Sequence, residues 1–193
     1  MEERKSLSPA TSIIIVLVAV IAVASVVFWF FRARNTVASV RYEKQLIEAT
    51  NLMFEGGVTT ENCANLMQSV WNNSIWKIAD KRTDHYTHAE SGVFYDDFND
   101  ALAALFADPD FREDIKSIRQ NRDDVEELIR KLKNPPRAWQ DAYSELLRLY
   151  DTYYDFTELV LNTHCSLNEF SERFVEYDNE MVKRLDKMDL YFD

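Results

Sequence analysis

The stretch Asp84-His85-Tyr86-Thr87-His88-Ala89-Glu90 is where metal-binding side-chain types gather most densely. Two imidazoles three positions apart, with the carboxylates of Asp84 and Glu90 beside them, are donors suited to zinc or another divalent ion. The spacing is not His-Glu-x-x-His, and hydrophobic periodicity fails here, so the competing reading is a polar loop. His164-Cys165 sets a base beside a thiol, but a nucleophile and its base must meet in space, which sequence adjacency does not supply. The doubled acids Asp96-Asp97, Asp123-Asp124 and Glu126-Glu127 point apart on a helix and read as solvated faces rather than acid–base partners. The sequence contains no glycine-rich phosphate loop, no G-x-S-x-G and no EF-hand loop.

Cys63 and Cys165 are the two cysteines. They are compatible with one disulfide joining an early helix to the last, and equally with two unrelated small apolar side chains. Their spacing carries no C-x-x-C metal signature. The aromatics Trp139, Tyr143, Tyr150, Tyr153, Tyr154 and Phe156 can line a ligand cavity, but most sit at the spacing of a bundle interior. Tyr154 and Trp76 fall off the apolar stripes and suit a partner surface. The expectation is no catalytic residue and no cofactor, with His85, His88, Asp84 and Glu90 as the metal candidates.

The scaffold that would position these residues is helical. Three glycines and four prolines in 193 residues are too few for the turns of a β protein of this size. The net charge of −11 falls after the N-terminal apolar run, because Glu2, Glu3, Arg4 and Lys5 cancel. Such a surface is repelled by nucleic-acid phosphates and by anionic headgroups, so nucleic acid is not an expected partner.

Residues 13–31 form an apolar run in which Ser25 is the one polar member. At about 1.5 Å per residue the run is long enough to cross a bilayer core. It ends in Phe28-Trp29-Phe30-Phe31 and then Arg32 and Arg34, aromatics followed by cations as at a headgroup interface. Ala22-Val23-Ala24 matches a signal-peptide cleavage site, but cutting there would leave residues 26–31 as an exposed apolar start, so an uncleaved anchor is the expectation. Arg4 and Lys5 precede the run, whereas Arg32, Arg34, Arg41 and Lys44 follow it. By itself that bias favours a cytoplasmic domain, yet long segments translocate largely regardless of charge. The expected organisation is a short tail at 1–11, a transmembrane anchor at 12–34 and an acidic helical bundle at 35–193.

Within the bundle, Tyr42, Leu46, Ala49 and Met53 mark a first helix that Gly56-Gly57 should stop. Thr59 or Thr60 should cap the next, with an apolar stripe of Cys63, Leu66, Met67, Val70, Trp71, Ile75 and Ile78. Residues 80–92 read as a loop or frayed end. Helical spacing resumes at Phe94, Phe98, Leu102 and Leu105, pauses at Asp108-Pro109-Asp110, and continues through Phe111, Ile115 and Ile118. An interruption is expected at 121–124, before Val125, Leu128, Ile129 and Leu132. Asn134-Pro135-Pro136 is a stop and restart, followed by Trp139, Tyr143, Leu146, Tyr150 and Tyr153. Ser166-Leu167-Asn168-Glu169 is a capping box opening a last helix with Phe170, Phe174, Tyr177, Met181, Leu185 and Met188 on one face. The fold class is all-α: an N-terminal transmembrane helix followed by an antiparallel bundle of about five helices.

Leu132-Lys133-Asn134-Pro135-Pro136, Trp139, Ala142-Tyr143, the run 146–154, Ser166-Leu167-Asn168, Gly56-Gly57 and Asp97-Phe98-Asn99 together resemble a loose group of small helical proteins of Gram-positive bacteria. These are mostly uncharacterised, and many are membrane-anchored or of lipoprotein type. The resemblance spans most of residues 40–190. It implies an extracytoplasmic helical domain at the plasma membrane and no activity. The expected role is a single-pass, non-enzymatic binding or interaction module, held to the membrane through residues 13–31 and addressed to a protein partner. The alternative is a membrane-anchored ligand or metal sensor working with a partner protein.

Overall fold

The computed structural model describes the backbone of residues 9–192 and the side chains of 37–192. Contacts divide the chain into two units, Met1–Tyr42 and Glu43–Asp193. The structure is all-α. Helix α1 is Pro9–Trp76, α2 is Asp84–Thr87, α3 is Phe98–Ala107, α4 is Pro109–Lys131, α5 is Gln140–Leu161 and α6 is Leu167–Asp189, with a 3₁₀ turn at Arg137–Trp139. Among the described residues no helix is long and apolar enough to cross a membrane. The side chains of the anchor expected at 12–34, with its apolar run at 13–31, lie outside the described residues.

In the second unit four long helices form a ring, and their contacts fix its order. Asn121 of α4 donates to the Leu52 carbonyl of α1 at 3.0 Å, while Gln68 of α1 meets Ser171 of α6 at 2.7 Å. Arg122 of α4 pairs with Glu158 of α5, and Phe156 of α5 stacks on Phe174 of α6 with centroids 6.0 Å apart. Contacts advance in opposite senses along neighbouring helices, as from Gly57–Met181 to Gln68–Ser171 on α1 and α6 and from Glu145–Arg184 to Phe156–Phe174 on α5 and α6, so neighbours run antiparallel in up-down-up-down order. The short α2 and α3 bridge α1 to α4 at one end, where Trp71 packs on Phe98 at 6.0 Å and Asn73 donates to Thr83 at 2.9 Å. Leu46, Met53, Met67, Leu105, Ile118, Leu146, Leu149, Tyr153, Phe156, Phe170 and Met188 are fully buried. Each such large side chain contributes roughly 1.5–3 kcal/mol of transfer free energy.

The helix starts follow local chemistry. The Asp97 carboxylate accepts from the Asn99 amide at 2.8 Å, so α3 begins at Phe98 rather than at Phe94. Asp108 accepts from the Asp110 and Phe111 amides, both at 3.0 Å, and Pro109 sits in the first turn, where no amide is needed. Ser166 accepts from Glu169 at 3.3 Å and opens α6 as its capping pattern requires. Asn134, at φ 71°, makes the left-handed step that turns α4 toward α5.

Three expectations are corrected. The pair Gly56-Gly57 does not stop a helix, because α1 passes through both. A Cβ on Gly56 would collide with Asn121 Oδ1 and sit 2.7 Å from the Tyr153 hydroxyl, so the glycine is a notch that admits two neighbouring helices. Residues 121–124 do not interrupt α4, since Asn121 spends its side chain on α1 and α5 rather than on its own backbone. Residues 80–92 are not a plain loop: α2 lies within them, and an isolated bridge joins His88 to Phe94.

Gly56→Ala should destabilise the fold by about 1–3 kcal/mol, as overpacking does, despite roughly 1 kcal/mol of gained helix propensity. Gly57→Ala should stay within about 1 kcal/mol of the parent, because the atom it meets is the flexible Met181 methyl at 3.1 Å. Urea unfolding of the full chain in detergent tests both, and a stabilised Gly56→Ala would rule out the notch.

Candidate functional site

The structure places the metal candidates in and just after α2, but turns them to other uses. The Asp84 carboxylate accepts from the Asp80 amide at 2.8 Å. His88 Nδ1 sits 3.0 Å from both the Asp84 carbonyl and Thr87 Oγ1, and 3.9 Å from Asp84 Oδ1. The His88 ring lies against Phe94 and the His85 ring against Tyr86, while Glu90 is exposed. Among the described residues no three His, Cys, Asp or Glu side chains converge as a metal site would require. Sequence spacing could not show this, because the His88 ring is oriented by a bridge to a residue further along the chain.

The two cysteines are free thiols. Cys63 is buried on α1, and burial, helped by the nearby Asp114 charge, pushes its thiol up to about 12. Cys165 lies between α5 and α6, where burial and then Glu169 raise it above its ordinary value. His164 beside it is exposed. A raised thiol is a poor nucleophile, because the thiolate is the reactive form. Native protein at pH 8 should therefore react with a thiol reagent slowly at Cys165 and essentially not at Cys63 until unfolded. Rapid double labelling, or a mobility difference between reduced and non-reduced samples, would contradict this arrangement.

Of the aromatic candidates, Tyr153 and Phe156 are buried, Trp139, Tyr143 and Tyr150 are half-buried, and Tyr154 and Trp76 are exposed. The core face of α5 is thus carried by Ala142, Leu146, Leu149, Tyr153, Phe156 and Val160, turned away from the stripe through Trp139, Tyr143 and Tyr150. That rotation opens a groove of about 440 Å³ between α4 and α5, lined by Arg119, Arg122, Asp123, Glu126, Tyr150, Tyr154, Glu158, Leu161 and Asn162. Arg122 is its hub. Its guanidinium lies 4.1 Å from the Tyr154 ring centre and 2.8 Å from Glu158 Oε2, and Asn162 donates to the other Glu158 oxygen at 2.6 Å. Bonding from Arg122 and Asn162 holds the Glu158 carboxyl below its ordinary range. Cation, ring and carboxylate thus pair with one another along the groove wall. Arg122 was not legible as a site residue while 121–124 read as an interruption. Seen as helix, Arg119, Arg122, Asp123 and Glu126 share one face at spacings of three and four.

A second charged cluster joins α5 to α6. Glu145 is 5% exposed, and its oxygens meet Arg184 at 2.8 Å, Arg148 at 2.9 Å and Lys187 at 3.9 Å. Burial pushes the carboxyl upward, but hydrogen bonds from Arg184 and Arg148 outweigh it and leave the group below its ordinary range. Glu145 was missed because a lone acid among apolar positions carries no sequence signal of its partner. A carboxyl lowered by folding stabilises above its unfolded pKa, and the contribution fades as pH falls through the folded value. Glu145→Gln should cost about 2 kcal/mol near pH 7, and the gap from the parent should close as pH drops below the ordinary carboxylate range. Urea midpoints at neutral and acidic pH check both the size and the direction.

No family model, curated protein or solved structure matches the chain. Its class is therefore defined by the fold itself, an up-down-up-down helical ring with an open polar groove.

Proposed function

We propose that the protein is a single-pass membrane-anchored binding module, with its acidic helical domain on the extracytoplasmic side and no chemistry of its own. The apolar run at residues 13–31, closed by aromatics and arginines, is the observation that carries the attachment. The side of the membrane rests on the resemblance to anchored helical proteins of Gram-positive bacteria. Several features favour recognition over reaction: the two thiols are raised rather than activated, the α2 histidines are engaged locally, and the α4–α5 groove is already internally paired. A protein partner met through exposed aromatics and acidic faces fits this composition.

The full chain should sediment with membranes and resist an alkaline wash, while a version lacking residues 13–31 should move to the soluble fraction. Protease added to intact cells should remove the domain. A full chain that stays soluble would end the anchor reading, and a protected domain would reverse its orientation.

A further inference from the structure

We propose that the outward flank of the α1–α6 seam is a docking surface for an amphipathic helix with a basic border, presented by a partner protein. This deepens the binding-module reading and rests on it. The seam is fixed along its length by Gly57 against Met181, Gln68 against Ser171 and Trp71 against Phe170. Counting around each helix from these contacts places Phe54 and Val58 on the outer side of α1, and Val175 and Val182 on the outer side of α6. Their exposures are 53%, 42%, 57% and 54%. Two exposed apolar side chains on each helix therefore flank the seam, spaced as the anchors that an amphipathic helix engages.

Charge selects the occupant. Residues 45–76 of α1 contain no lysine, arginine or histidine. All four cations of α6 are already paired: Arg173 with Glu169, Lys183 with Glu180, Arg184 with Glu145 and Glu180, and Lys187 with Glu145. The same count places Glu61 and Asp178 level with each other on the seam, between the apolar side chains of the two helices, and neither is in an ion pair among the described residues. A second copy of this chain would set carboxylates against carboxylates, and an anionic bilayer would be repelled in the same way. A helix with apolar residues at i, i+3/i+4 and i+7 and lysines or arginines beside them is complementary on both counts.

The test uses the full chain in zwitterionic nanodiscs, titrated with a fluorescent Leu/Lys amphipathic peptide and, separately, with its Leu/Glu counterpart. The Leu/Lys peptide should bind, and Val58→Ser combined with Val182→Ser should weaken it at least about tenfold. Glu61→Gln combined with Asp178→Asn should weaken it about three- to tenfold and flatten its salt dependence. Val93→Ser, at an even more exposed apolar site elsewhere, should leave binding unchanged. All variants alter exposed or half-exposed side chains, and a thermal melt verifies that each folds. Parent-like binding by the serine pair, or equal binding of the Leu/Glu peptide, would overturn the proposal. So would sedimentation showing that the chain self-associates through Val58 and Val182. None of these failures touches membrane attachment, which fractionation reads separately.

Discussion

The ring of helices depends on the contact at Gly56. There α1 has no side chain, Tyr153 of α5 donates to Asn121 Oδ1 at 2.5 Å, and the Asn121 amide donates to the Leu52 carbonyl of α1 at 3.0 Å. Three helices are tied at one level by two hydrogen bonds and a missing methyl group. Thr60 supports the same turn by donating to the Gly56 carbonyl at 2.7 Å. Burial pushes the Tyr153 hydroxyl well above its ordinary pKa, so it remains a donor across the physiological range. A slip of any of the three helices by one residue would strand these polar groups in an apolar interior, so the contact sets register as well as adding stability.

Much of this order was legible from pattern alone. The all-α class, the stop and restart at Asn134-Pro135-Pro136, the Ser166 cap and the buried face through Phe170, Phe174, Met181 and Met188 follow from local rules, because caps and stripes act within a few residues. What was not legible depends on partners far along the chain. Gly56-Gly57 resembles a breaker until Asn121 and Tyr153 fill the space, and Asn121 resembles a breaker until Leu52 offers it a carbonyl. The same limit hid Arg122 and Glu145, whose roles are defined by Tyr154 and Glu158 in one case and by Arg184 in the other.

Electrostatics divides the ring unevenly. The α4–α5 groove and the α5–α6 flank hold interlocked ions: Arg122 with Glu158, and Glu145 with three cations. Across the ring, α1 supplies carboxylates and amides but no lysine, arginine or histidine over residues 45–76, although Lys131 of α4 lies near Glu48. Exposed pairs add little individually to stability, whereas the buried Glu145 adds more, and the distribution of all of them decides where unbalanced charge remains. It remains along α1, beside the exposed apolar side chains.

The up-down-up-down order also dictates when the molecule can close during its synthesis. Helices α4, α5 and α6 follow one another and can pair as they emerge, whereas α1 leaves the ribosome first and waits for partners made much later. Gln68 and Ser171 are 103 residues apart; at roughly 5–20 residues per second the wait is on the order of ten seconds. Throughout it the apolar face of α1 at Leu46, Met53 and Met67 has no α6 to cover it. The nascent chain thus carries an uncovered greasy helix for longer than the finished fold suggests, and this interval is when a chaperone or an early pairing with α4 counts most.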